Sequence, residues 1–361
     1  MDKVRPAAPQ LASLKPYDPK YIPAKSYMSA NENPADVGDE IRREIGKAVK
    51  DISLNRYPDP LANKLRDLIA EANGLERDWV LIGNGGDELL FDTALAWGGP
   101  GRRFLNLPPT FSVYATNARL TNTEVVDILR GPAPDFAIDE EEVLRRVSSK
   151  EKPIDFIVVA SPNNPTGLMS PPEFVEKLLN ATDALVMVDE AYFEFSRETA
   201  RPLLEANKNL VILRTFSKAF SLAGLRLGYI LAHPEVIREY LKVRQPYSVD
   251  SVSQVIGQVV YENRAKFATG IRQIIDERER MMIELKKLPG VKPYPSDSNW
   301  ILFHVDESEL AWKYLYDHGI LVRDFSTAPY LEGSLRVTIG TPEQNDAFIS
   351  NLRDFIMRKP E

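Results

Sequence analysis

Lys218 stands in Arg214-Thr-Phe-Ser-Lys218-Ala-Phe-Ser-Leu-Ala-Gly-Leu-Arg226-Leu-Gly-Tyr, directly after the apolar run Asn209-Leu-Val-Ile-Leu213. A lysine amine forms an imine with an aldehyde and, once freed, shuttles protons. Ser217 and Arg226 offer the charge-assisted hydrogen bonds that hold a phosphate dianion. Gly224 and Gly228 permit close backbone approach. The string reads either as a Schiff-base lysine beside a phosphate cradle or as an ordinary surface lysine. Other groups in the chain have to decide.

Three further strings bear on that choice. Val188-Asp189-Glu190-Ala-Tyr192-Phe-Glu194-Phe ends an apolar run, so Asp189 falls at a strand's carboxyl end. There it can hold a pyridinium nitrogen and keep the ring an electron sink, while Tyr192 can reach a ring hydroxyl. Phe193 and Phe195 read as packing, and Glu190 as a helper. Ser161-Pro-Asn163-Asn164-Pro165-Thr166-Gly167 follows another strand and can place the Asn164 amide on an oxyanion; a shorter string of this kind would be an Asx-Pro turn. Leu81-Ile-Gly83-Asn84-Gly85-Gly86-Asp87-Glu88 is a strand, a glycine turn and a helix start. Free N–H groups at a helix start bind anions, and Asp87 is the expected N-cap. Alone, this last string reads sooner as a plain βα turn.

These strings need elements to aim them. Helices are expected over Asp39–Asp51, Leu61–Asn73, Glu88–Ala96 and Pro171–Leu179. Apolar strands are expected near 80–83, 103–107, 124–129, 154–160, 184–188, 210–213 and 226–232. Such alternation predicts an α/β fold, a mainly parallel central sheet covered by helices. Residues 1–35 are Pro-rich and read as an arm carrying Tyr17 and Tyr21. Near 250 the pattern changes. A long charged helical stretch, Ser253–Leu288, leads into strands near 300, 320 and 334 and a final helix from Pro342. That tail suits a smaller α+β domain. The expected partition is an arm with part of the small domain (1–38), a large domain (39–255) and a small C-terminal domain (256–361).

Composition narrows the function classes. Of 361 residues, 43% are hydrophobic and 27% charged, which predicts a globular chain. A net charge of -7 argues against general affinity for nucleic acid or an anionic membrane. Cysteine is absent, which excludes disulfides, thiolate nucleophiles and cysteine-held metals. His233, His304 and His318 lack the spacing of a zinc site, so no metal is expected. No apolar signal core opens the chain, and no apolar run reaches the ~20 residues that span a bilayer. A soluble, cytoplasmic protein is the expectation.

Together, Asn164, Asp189, Tyr192, Lys218 and Arg226 resemble, in order and spacing, the signature of fold-type I, pyridoxal 5′-phosphate-dependent aminotransferases of classes I and II. The likeness covers nearly the whole chain. Within that group the chain is most similar to the histidinol-phosphate aminotransferase family, through Asn31-Glu32-Asn33-Pro34, Asn55-Arg56-Tyr57-Pro58-Asp59, Pro108-Pro-Thr110-Phe-Ser-Val-Tyr114, Gly319-Ile-Leu-Val-Arg323-Asp-Phe and Leu335-Arg336-Val-Thr-Ile-Gly-Thr.

The resemblance implies roles. Lys218 carries the cofactor, Asp189 pairs with its ring nitrogen, Asn164 and Tyr192 hold its ring oxygen, and Tyr114 stacks on the ring. Gly86, Asp87, Ser217 and Arg226 bind its phosphate, joined by Tyr57 of a second subunit in a homodimer. Arg336 clamps the glutamate or 2-oxoglutarate carboxylate. Arg323, Tyr17 and Asn31 bind the substrate phosphate or second carboxylate. The implied reaction is transamination between histidinol phosphate and 2-oxoglutarate in histidine biosynthesis. An aromatic or broad-specificity aminotransferase, or a relative of threonine-phosphate decarboxylase, is the alternative. The chain departs from the pattern at Ala35-Asp-Val-Gly38, at Gly86 and at Ser221. For Lys218 to act as a base its amine must titrate below the usual ~10.4, and Arg226 with partial burial is expected to lower it.

Overall fold

The computed structural model describes residues 5, 7–14, 16, 18 and 22–358. Tyr17 and Tyr21 lie outside the described residues. A short strand, β1 (Ser26–Met28), precedes the seven strands of the larger sheet. These are β2 (Val80–Asn84), β3 (Arg103–Asn106), β4 (Glu124–Asp127), β5 (Phe156–Ala160), β6 (Leu185–Asp189), β7 (Leu210–Thr215) and β8 (Leu227–Ala232). Their order is β2-β8-β7-β6-β5-β3-β4. Strands β3 to β7 pair in parallel, and β8 runs antiparallel to both of its neighbours.

Strands β5 to β8 are buried along their full length, as continuous apolar runs demand. Successive side chains enter opposite layers. Ile157 and Val159 pack with Phe174 and Leu178 on one face. Phe156 and Val158 pack with Leu89 and Tyr240 on the other. Hence a residue's parity near a strand's end decides which side it faces.

The second sheet joins β1 to β9 (Val291–Pro293), β10 (Trp300–Val305), β11 (Ile320–Phe325) and β12 (Ser334–Thr338), in the order β1-β11-β12-β10-β9. Helices Ala268–Lys286, Ser308–Asp317 and Pro342–Met357 cover it through Met281, Leu285, Leu315, Phe348 and Leu352. The last begins in a capping box made by Thr341 and Gln344.

Several expected boundaries move, for local reasons. Within the stretch 1–38, expected as an arm with part of the small domain, residues 26–28 pair in parallel with Ile320–Val322 and bury Met28 completely. The helix expected from Leu61 begins at Asn63, because the Asp59 carboxylate accepts from the backbone N–H of Leu61 and Asn63. The helix expected from Glu88 begins at Gly85, so Asn84 and not Asp87 is its N-cap. The single stretch 253–288 is two helices, Ser251–Glu262 and Ala268–Lys286, parted by the 3-10 turn Arg264–Phe267. The Asn263 amide ends the first of them by donating to Val259 O. Helices Val113–Leu120, Glu140–Val147 and Pro234–Val243 and strand β9 lay outside the sequence reading. A division at 255 cuts the helix Ser251–Glu262, whose Gln254 donates to Asp59 O and whose Val260 and Tyr261 join the large core. We propose the junction at 263–267 instead. No helix among the described residues is long and apolar enough to cross a membrane.

Candidate active site

A cavity of about 660 Å³ opens at the carboxyl ends of β5, β6 and β7, between the two sheets. Strand β6 ends on Asp189. The turn after it carries Tyr192, and the loop after β7 carries Ser217 and Lys218. The loop after β5 brings Asn164, the helix Val113–Leu120 brings Tyr114, and the helix Gly85–Trp97 brings Gly86 and Asp87. From the smaller sheet come Arg323 and Arg336, and Asn31 follows β1. All of these line the one cavity, as does Arg226. Among the described residues that were expected, one does not. Tyr57 is 81% exposed and stacks on Tyr247 at 4.5 Å, off its own chain's cavity, and Tyr17 lies outside the described residues.

The Lys218 amine donates to Ala30 O at 2.9 Å. Burial brings its pKa down to about 8, helped next by the Arg336 cation and opposed by Glu32 and Asp87. Arg226, expected from the sequence to be the main cationic cause, contributes least of these. Tertiary packing sets Arg336 close to the amine, and the chain order concealed it.

Asp189 is only 7% exposed. Its carboxylate accepts from the Tyr114 hydroxyl at 2.6 Å and from the Ala191 N–H at 3.0 Å. Burial raises its pKa to about 6, against those two hydrogen bonds. Burial and the neighbouring Asp189 keep the Tyr114 phenol protonated, so it serves as a donor. The Tyr192 hydroxyl accepts from the Asn31 amide at 3.1 Å. Asn31 is almost wholly buried and adopts a left-handed φ of 54°. Thr338 donates to its side-chain oxygen, so it holds Tyr192 in place from behind. Arg336 donates to Asn164 Oδ1 and to Ser29 O.

The two arginines are cross-strand partners, Arg323 on β11 facing Arg336 on β12. Like charges placed opposite each other repel, and an anion between them relieves that repulsion. Arg323 also donates to Asp18 O at 3.1 Å.

The residues expected to cradle a phosphate gather around Arg226. Arg226 donates to Asp87 Oδ2 at 2.9 Å. Two glycines make room for this arrangement. Gly85 has φ +76°, and a Cβ there would stand 2.6 Å from Arg226 Nη2; a Cβ on Gly228 would stand 2.7 Å from the backbone of Gly85 and Gly86. Gly86 is under no such constraint, with its nearest neighbour at 3.6 Å. The Ser217 hydroxyl sits 3.0 Å from Thr215 Oγ1. Helix-start N–H groups, a hydroxyl and a guanidinium suit a phosphate dianion. With a depressed lysine and a buried carboxylate beyond them, the residues fit a phosphorylated aldehyde that carries a ring nitrogen.

Sequence reasoning missed Thr215 and Glu32 as cavity residues, and named Glu190 only as a helper without its partner Arg214. Thr215 and Glu32 line the cavity. Strand parity was the available signal for Thr215, which shares its face with Leu213.

Residues 25–352 match the family model of aminotransferase class I and II. A histidinol-phosphate aminotransferase of Carboxydothermus hydrogenoformans is 40% identical over 99% of this chain and 100% of its own. One from Thermococcus kodakarensis is 39% identical over 96% of this chain and 97% of its own. The crystal structure of histidinol-phosphate aminotransferase from Sinorhizobium meliloti in complex with pyridoxal-5′-phosphate superposes with a TM-score of 0.87, covering 98% of each chain. At 23% identity it speaks to the fold. L-threonine-O-3-phosphate decarboxylase from Porphyromonas gingivalis gives a TM-score of 0.81 at 26% identity, over 92% of this chain and 100% of its own.

Proposed function

The chain belongs to the class I and II aminotransferases, pyridoxal 5′-phosphate enzymes, and on that premise we propose that it transfers the amino group between L-histidinol phosphate and 2-oxoglutarate, yielding imidazole-acetol phosphate and L-glutamate in histidine biosynthesis. The observation that carries this reading is the register that sets Arg323 beside Arg336 in the cavity of Lys218. A dianionic phosphate on one substrate and a second carboxylate on the other both call for two cations. The names of the relatives, at 40% and 39% identity over nearly the full length, support the same substrate.

Bound in the cradle, pyridoxal 5′-phosphate supplies an aldehyde carbon and a ring that accepts electrons. The chain's own residues do the rest. Helix-start N–H groups at Gly86 and Asp87, the Ser217 hydroxyl and Arg226 anchor the phosphate. Asp189, held by Tyr114 and Ala191, faces the ring nitrogen. Asn164 and Tyr192 hold the ring oxygen. Lys218 Nζ, neutral above about pH 8, takes the α-proton of the amino donor and, in the second half-reaction, gives a proton to the former carbonyl carbon of the acceptor. Arg336 receives the α-carboxylate of glutamate or 2-oxoglutarate, and Arg323 their second carboxylate or the phosphate of histidinol phosphate.

The same reading makes the enzyme a cytoplasmic homodimer. The exposure of Tyr57 and Leu54, 81% and 85%, supports a second copy, whose cofactor phosphate Tyr57 would reach. Turnover of histidinol phosphate with 2-oxoglutarate, followed by glutamate release, tests the substrate. Equal efficiency with phenylalanine as donor would overturn it in favour of a broad aminotransferase. Release of carbon dioxide from O-phosphothreonine would favour the decarboxylase that the Porphyromonas likeness suggests.

A further inference from the structure

We infer that the buried pair Glu190–Arg214 is a positioning device that sets the spacing between Asp189 and Lys218. The inference rests on the cofactor assignment and is independent of the substrate. Asp189 and Thr215 line the cavity. Their neighbours Glu190 and Arg214 point the other way and are 1% and 5% exposed. Strands β6 and β7 pair in register, Asp189 beside Leu213, and their ladder closes with Glu190 N donating to Leu213 O at 2.8 Å. Past that bond the two chains diverge, one toward Tyr192, the other toward Ser217 and Lys218. The side-chain pair bridges the point of divergence.

The bridge is fully engaged. The Glu190 carboxylate accepts from Arg214 Nε at 2.9 Å, from Thr199 Oγ1 at 2.8 Å and from Ala200 N at 2.6 Å. Arg214 also donates to Thr199 Oγ1 at 2.8 Å and to Asn73 Oδ1 at 3.3 Å. Its guanidinium lies 3.8 Å from the centre of the Phe193 ring. A planar fork gripped on so many sides has one geometry. Taking two charges out of water cancels much of their attraction, so such a pair adds little net stability. What it supplies is a defined distance between two strand ends, and misplacing a reacting group by about 1 Å costs about a hundredfold in rate.

The test removes both charges, in Glu190→Gln/Arg214→Met, and adds Arg214→Lys as the conservative variant that keeps charge without the fork. Circular dichroism reports folding. The visible absorbance of the Lys218-bound cofactor, titrated with pH, reports the spacing apart from turnover. The double variant is expected to fold, to move that titration midpoint by about half a pH unit or more, and to slow the glutamate half-reaction at least about tenfold with the glutamate dissociation constant within about threefold. Arg214→Lys is expected to recover part of both. A folded double variant with native titration and half-reaction rate overturns the inference. Should the double variant not fold, Arg214→Lys decides alone: a native titration overturns the inference, and a moved midpoint supports it. A wild-type chain that gains no visible band with pyridoxal 5′-phosphate fails the cofactor reading instead, which separates the two.

Discussion

Lys218 titrates at about 8 because burial disfavours its cation and Arg336 repels it. The sign follows directly. Below that pH the amine is protonated and cannot attack an aldehyde; above it the amine is neutral. Attachment of pyridoxal 5′-phosphate to the cofactor-stripped enzyme, followed by absorbance in a stopped-flow instrument, should therefore quicken about tenfold per pH unit up to about pH 8 and then level off. Arg336→Gln removes the second cause, so the inflection is expected to move up. A wild-type rate still climbing at about pH 10, where an ordinary lysine titrates, would contradict the assignment. Asp189 is held on one side by Tyr114 and on the other by the backbone of Ala191, so its orientation is set before any ligand arrives.

At the scale of elements, the cradle depends on how closely β8 approaches the start of the helix Gly85–Trp97. Gly228 meets the backbone of Gly85 and Gly86, which cannot give way, whereas Gly86 faces the ends of the Leu213 side chain. Gly228→Ala is accordingly expected to raise the dissociation constant for pyridoxal 5′-phosphate about tenfold or more, and Gly86→Ala to change it by no more than about threefold. Equilibrium dialysis of the two variants checks this, and equal values would sink the account. The missing side chain at Gly86 thus matters less than the missing one at Gly228. The same scale explains the arginines: Arg323 and Arg336 meet only because β11 and β12 pair in one register, and a slip of one residue would turn one of them away from the cavity.

For the whole molecule, the question is the second copy. Sedimentation is expected to give twice the chain mass of 40.7 kDa. Tyr57→Phe keeps the ring that stacks on Tyr247 and loses only the hydroxyl. It should leave the dimer intact and weaken cofactor binding about tenfold, the worth of one hydrogen bond to a charged group. A monomer with native cofactor affinity would remove the dimer from the proposal. The smaller sheet also has a molecular role: through β1 and β11 it brings residues from both ends of the chain to the same cavity.

The chain order alone determined the larger sheet's strands and the residues at their carboxyl ends, because long apolar runs followed by Asn164, Asp189 and Lys218 are local signals. It also marked the glycine turn at 83–86. Three-residue β1 escaped, since so short a run has no periodicity and exists only by pairing with Ile320–Val322. The helix boundaries shifted because one carboxylate, Asp59 at a start, and one amide, Asn263 at an end, engage a few backbone groups. Only the tertiary structure decided that Arg336 rather than Arg226 weighs most among the cations on Lys218, that Arg323 stands beside Arg336, and that Glu190 grips Arg214. Each of these is a distance between residues far apart in the chain. Such distances are set by register and burial over the whole fold, which no local string of residues encodes.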